Sequence, residues 1–141
     1  MKKYLPIISL FFLLIACDAA KRVPEGSYLL NKVKIETDTK EVKSNQLKSF
    51  LRQKPNSSFP IIGRVPLHLY NLAGSDSSWI DKTLLKIGEP PVIYSERLTA
   101  VSAEQMRREL NNRGYLNAQV DTSVVKKEKK ADVSYHVIGN E

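Results

Sequence analysis

The chain has 141 residues but only one cysteine and two histidines, and both scarcities exclude chemistry. Cys17 stands alone, so no internal disulfide can form. His68 and His136 fall in no zinc-type spacing and beside no second ligand cluster, so no metal centre is expected. A Gly-x-Ser-x-Gly elbow is missing, as is a glycine-rich loop leading to a lysine in phosphate-binding spacing. The acidic residues Glu25, Glu36, Glu41, Glu89, Glu96, Glu104 and Asp121 are scattered over separate elements. Neither an enzyme nor a bound cofactor is expected. No internal repeat is visible, and no apolar run reaches the roughly 20 residues that a spanning helix needs.

What apolar run there is lies at the start. Lys2 and Lys3 precede twelve residues, 4–15, that are too short to span a bilayer and have the layout of an export signal. They end in Leu14-Ile15-Ala16-Cys17, which resembles the box read by lipoprotein signal peptidase. Residues 1–16 are therefore expected to be removed and Cys17 to be acylated, anchoring the chain to membrane lipid. Removal takes away Lys2 and Lys3, so the formal net charge of +7 falls by two to +5. Much of the remaining excess is Lys126, Lys127, Lys129 and Lys130, broken only by Glu128. With no aromatic interleaving on a helix, nucleic-acid binding is a poor reading. A solvated turn is the plain reading, and attraction to anionic lipid the alternative. Residues 17–27 show no periodicity and read as a lipidated tether.

After the tether, Leu29, Val33 and Ile35 alternate with Lys32, Lys34 and Glu36, with Asn31 out of step, which predicts a half-buried strand. Val42, Leu47, Phe50 and Leu51 recur at helical spacing, with Ser44 as cap and Pro55 as the limit. Residues 56–74 are left unassigned. Ser78 can cap a helix whose third residue is Asp81 and which Gly88 ends. Ser102 and Gln105 are spaced as a capping box, with Thr99 a competing start, for a helix running to Arg113 with Ala103, Met106 and Leu110 inward. Gly114 then suits the left-handed conformation at a helix end. Alternation returns over residues 116–124 and again at Val133, Tyr135 and Val137, close enough for a hairpin. The expected fold is α+β, a β-α-(insert)-α-β-β order with a three-stranded mixed sheet and helices on one face, and an insert at about residues 55–91.

That order, with Gly88-Glu89-Pro90-Pro91, the run Asn112-Arg113-Gly114-Tyr115 and two alternating strands, resembles a POTRA domain. Such domains belong to the BamA and TamA outer-membrane assembly family, and residues 28–141 would form one. Cys17, Val23-Pro24-Glu25-Gly26, Tyr28-Leu29-Leu30-Asn31-Lys32, Gln53-Lys54-Pro55-Asn56 and Leu67-His68-Leu69-Tyr70-Asn71-Leu72 resemble the start of TamL, the lipidated branch of that family in Bacteroidetes. The resemblance implies that the chain is the N-terminal part of a β-barrel assembly factor, or else a truncated relative that lacks the membrane barrel. It implies outer-membrane protein clients or envelope partners, a TamB-like protein among them, and an outer-membrane anchor facing the periplasm. Asp18, which resembles an inner-membrane retention signal of enteric bacteria, keeps both membranes open. The POTRA resemblance also implies that the exposed edge strand carries Leu116, Asn117, Ala118, Gln119, Val120, Asp121 and Thr122, the expected partner-binding residues, the alternative being an edge that is simply solvated or covered by residues 55–70. The competing readings are an independent lipoprotein binding a small ligand or lipid near residues 60–70, and a hydrolase with an unrecognised site.

Overall fold

The strictest alternation in the chain, Ala131, Val133, Tyr135 and Val137, is buried at the middle of a sheet. A computed structural model describes residues 18–74 and 78–139. Cys17 and the export signal lie outside the described residues. The strands are β1 (Leu29–Thr37), β2 (Gln119–Lys127) and β3 (Lys130–Ile138), in the order β1-β3-β2. β3 runs parallel to β1 and antiparallel to β2. This is the expected α+β arrangement, a three-stranded mixed sheet with four helices.

The out-of-step Asn31 has a physical cause. The β1–β3 register slips between Leu30 and Lys32, so Asn31 is the extra residue of a bulge, and its side-chain amide donates to Asp132 Oδ1 at 2.6 Å. An extra residue flips the side-chain parity before it. Leu30, rather than the expected Leu29, therefore joins Val33 and Ile35 on the core side.

The chain divides into two compact units. The sheet unit comprises Val23–Pro55 and the residues from Val92 onward. Its core joins Leu30, Val42, Leu47, Met106, Leu110, Val133, Tyr135 and Val137. The helix α4 (Glu96–Asn112) packs along β2. It starts earlier than the spacing of Ser102 and Gln105 predicts, because Ser95 is the cap, its hydroxyl accepting from the Leu98 N–H. Ser102 is instead buried inside the helix, donating to Leu98 O and accepting from the Arg52 N–H. Gly114 follows with φ +102°, as expected, and the Tyr115 N–H turns back to Leu110 O at 3.0 Å. The first helix, α1 (Ser44–Leu47), is one turn that tightens into a 3-10 turn at Lys48–Phe50. Ser44 opens it rather than capping it, and it ends well before Pro55.

The second unit comprises residues 18–22 and Asn56–Pro91, with 75–77 outside the described residues. The unassigned stretch forms a tight turn, where Phe59 and Gly63 exchange backbone hydrogen bonds, and then α2 (Val65–Leu72), with Pro66 in its first turn. The helix α3 (Trp79–Ile87) is capped as expected by Ser78, whose hydroxyl accepts from the Asp81 N–H. Gly88 ends α3 by closeness rather than by left-handed geometry. A Cβ there would lie 2.6 Å from Tyr70 N and 2.7 Å from Leu84 O.

Candidate protein-binding edge

A three-stranded sheet has two outer strands, and here they differ. The outer side of β1 is occupied at its start by residues 92–94. Leu29 bridges Ile93, the Leu30 N–H donates to Val92 O at 2.8 Å, and the Tyr94 N–H donates to Tyr28 O at 2.8 Å. Among the described residues, no strand or bridge pairs with the outer side of β2. An edge of this kind presents backbone groups to an incoming strand.

Of the expected binding residues, Gln119, Val120, Asp121 and Thr122 lie in β2. Leu116, Asn117 and Ala118 lie in the turn before it, with Leu116 74% exposed and Ala118 buried. The alternation in sequence began too early because Tyr115 and Ala118 form a turn, the Ala118 N–H donating to Tyr115 O at 3.1 Å. At its other end β2 runs on to Lys127 and turns into β3 through Glu128 and Lys129, both with positive φ (49° and 59°). Two such residues in a row form the mirror-image turn that suits the twist of a hairpin.

Beside β2 lies an open groove of about 460 Å³, bounded by Tyr94, Glu96, Thr99, Thr122, Val124 and Lys126. Lys126 is not simply solvated, since its ammonium sits 5.0 Å from the Tyr28 ring centre and 5.5 Å from that of Tyr94. Burial, and then the negative charge of Glu96, push the Tyr94 hydroxyl up from its ordinary value. The opposite face of the strand carries a smaller hollow of about 200 Å³, bounded by Asn31, Val125, Lys127 and Asp132 among others. Successive side chains of a strand point to opposite faces. A strand added to β2 would thus aim alternate side chains toward the groove and toward the polar face of the sheet. Sequence reasoning missed Tyr94, Glu96, Thr99 and Lys126. The one available signal was Lys126, a charge at the inward parity of Val120, Thr122 and Val124.

On the polar face of the sheet, His136 Nδ1 meets Glu36 Oε2 at 2.9 Å and His136 Nε2 meets Ser123 Oγ at 3.1 Å. The order acid, imidazole, hydroxyl is that of a hydrolytic triad, and spacing in the sequence gave no hint of it. Activating a serine also requires donors for the developing oxyanion and exclusion of water. Ser123 is exposed, the His136 and Glu36 side chains are 44% and 41% exposed, and neither hollow is lined by Ser123 or His136. Lys34, paired with Glu36, holds its carboxyl below the usual range through a hydrogen bond and its charge, with His136 adding less. The row is a set of cross-strand polar contacts of the kind that fixes register. Among the described residues no cluster suits a metal ion, and no helix is long and apolar enough to cross a membrane. His68 lies in α2, away from any such cluster.

A mixed sheet with one edge open, backed by a helix and bordered by a groove, places the chain in the class of small α+β modules. The particular family is POTRA, described as the surface antigen variable number repeat, which matches residues 28–138, and the chain belongs to it. POTRA domains mediate protein–protein interactions in outer-membrane assembly, so this chain carries such an interaction module of the cell envelope. No curated protein and no solved structure matches it.

Proposed function

We propose that the chain is a membrane-tethered, non-catalytic POTRA module of a BamA/TamA-type assembly factor, akin to the N-terminal part of the lipidated TamL branch. It captures extended segments of outer-membrane protein clients, or of a TamB-like partner, along β2. The observation that carries this reading is the open outer side of β2, where backbone pairing accepts many sequences and the bordering groove selects among side chains. Residues 1–16 act as the export signal, Cys17 carries lipid, and the domain faces the periplasm from the outer membrane.

The edge is tested by placing proline at Asp121 and, separately, at Thr122. Neighbouring strand residues aim their N–H groups in opposite directions, so one proline removes an outward donor and the other breaks the β2–β3 ladder. The variant that keeps the parent melting temperature is the informative one. Binding of a peptide copied from an outer-membrane barrel strand should weaken roughly tenfold, about 1.4 kcal/mol. Unchanged binding by that folded variant rules out pairing along β2. Lipid on Cys17 is tested by mass spectrometry of the N-terminal peptide, where an intact Met1 or a free thiol refutes it.

A further inference from the structure

The second unit buries Leu67 but wears most of its large apolar residues on the outside. Of the ten large hydrophobic residues exposed among the described residues, Phe59, Ile61, Ile62, Leu72, Trp79, Ile80, Leu85 and Ile87 belong to it and only Leu116 and Val125 do not. Ile61 is 95% exposed at the Phe59–Gly63 turn, and Trp79 and Ile87 of α3 are 76% and 58% exposed. Eight residues apart, Trp79 and Ile87 share one side of the helix with Thr83, and Ile80 stands beside Ile87. Lys82 and Lys86, also a turn apart, border that side. Concentrated exposed apolar surface marks an interaction face rather than a core.

The path of the chain identifies the occupant. Asn71 Nδ2 near the end of α2 donates to Ala19 O at 3.2 Å and Asp18 O at 3.4 Å. Arg22 donates to Ala73 O and stacks over the Tyr70 ring, 5.1 Å from its centre. The next residue, Gly74, donates its N–H to Asp81 Oδ1 at 2.7 Å, and Ser78 Oγ donates to Asp81 Oδ2 at 2.8 Å. These bonds run from Asp18 to the start of α3, and the charge of Arg22 reaches Asp81. Asp18 directly follows Cys17, and adjacent Cα atoms are about 3.8 Å apart. Acyl chains on Cys17 thus bring the bilayer to the end of the unit where Trp79 projects.

We infer that this unit docks on the lipid bilayer surface, with Trp79, Ile80 and Ile87 entering the headgroup region. The inference rests on acylation of Cys17. A tryptophan with an apolar body and a polar N–H suits that interface, and lysines bordering an apolar helix face suit lipid phosphates. More than one acyl chain already holds a protein on a membrane, so the docked face sets orientation rather than retention. The readout must then be depth of insertion.

Trp79 is the only tryptophan, and Cys17 the only cysteine, so the chain carries its own probe and its own attachment point. Residues 17–141 are taken in two forms, purified from membranes and coupled at the Cys17 sulfur to a maleimide lipid, each on phosphatidylcholine–phosphatidylglycerol vesicles with brominated acyl chains. Trp79 emission should shift to the blue, drop several-fold through bromine quenching, and resist acrylamide. Ile80→Glu and Ile87→Glu, at exposed positions that leave folding intact, should each restore acrylamide access. Emission that stays water-like in the coupled chain overturns the inference. So does a blue shift that grows with protein concentration without vesicles, which assigns the face to a second copy. If cells leave Cys17 free, the anchor reading fails, while the coupled chain still decides whether the face docks.

Discussion

The sheet unit and the helical insert spend similar side chains in opposite ways. In the sheet unit, Leu30, Leu47, Met106, Leu110 and Val133 are all but fully buried, converging from both halves of the unit onto one core. In the insert, Trp79 and Ile87 sit on a helix of nine residues whose members are all at least partly exposed. Hydrophobicity therefore does two jobs in this chain. In one unit most of it is buried, and in the other Leu67 is fully buried while polar contacts brace the exposed rest, with Asp81 accepting from Gly74 and Ser78, and Asn56 donating to Pro90 O at 2.7 Å.

That contrast can be broken at one residue in each unit. Leu110→Ala should produce the largest change, a loss of about 3–5 kcal/mol read as a lower denaturant midpoint, because a buried leucine is removed from a closed core. Gly88→Val should cost about 1–3 kcal/mol by overpacking against Tyr70 and Leu84, with hydrogen exchange speeding in α2 and α3 and not in β3. Equal acceleration in β3 would show that the two units share one cooperative transition.

Two smaller changes sharpen the comparison within the sheet unit. Gly114→Val should destabilise by about 1–2 kcal/mol, entirely through backbone conformation, since nothing lies within 4 Å of a Cβ built there. Gly114→Asn should recover part of the loss. The smallest effect is at Glu104, whose carboxyl is lowered to about 2 by hydrogen bonds from Arg107 and Arg108. A carboxylate depressed in the folded state contributes stability above its unfolded value, and that contribution is lost as pH falls from the ordinary carboxylate range toward 2. An NMR titration should place the Glu104 midpoint well below those of other glutamates, and Arg107→Gln combined with Arg108→Gln should raise it.

The sheet was legible because its strands bury one face each, and a two-residue period survives in Val133, Tyr135 and Val137. Even the irregularity at Asn31 was visible, although its effect on Leu29 was not, since a bulge flips parity only once pairing is known. The start of α4 was misread because Ser102 and Gln105 have capping-box spacing in a stretch that is already helical. The helix α2 escaped notice because Pro66, a tolerated first-turn residue, looks like a breaker, and its run of Leu67, Leu69 and Tyr70 shows no helical period. At the candidate site, the strand was readable but its groove was not. Tyr94, Thr99 and Lys126 come from three separate segments that only the fold brings together. The outer face of α3 posed a different difficulty, because an amphipathic pattern reads the same whether its apolar side meets a core or a membrane.

The parallel pairing of β1 with β3 also sets a timetable. Leu29 and Lys130 are register partners about a hundred residues apart, so β1 is synthesised long before the strand it will lie beside. At ordinary elongation rates that interval is roughly 5–20 s. Throughout it, Leu30, Val33 and Ile35 have no β3 to lie beside. Any length of chain that ends short of β3 therefore displays an unsatisfied strand, and for a chain that crosses the inner membrane the same order of arrival is replayed on the far side.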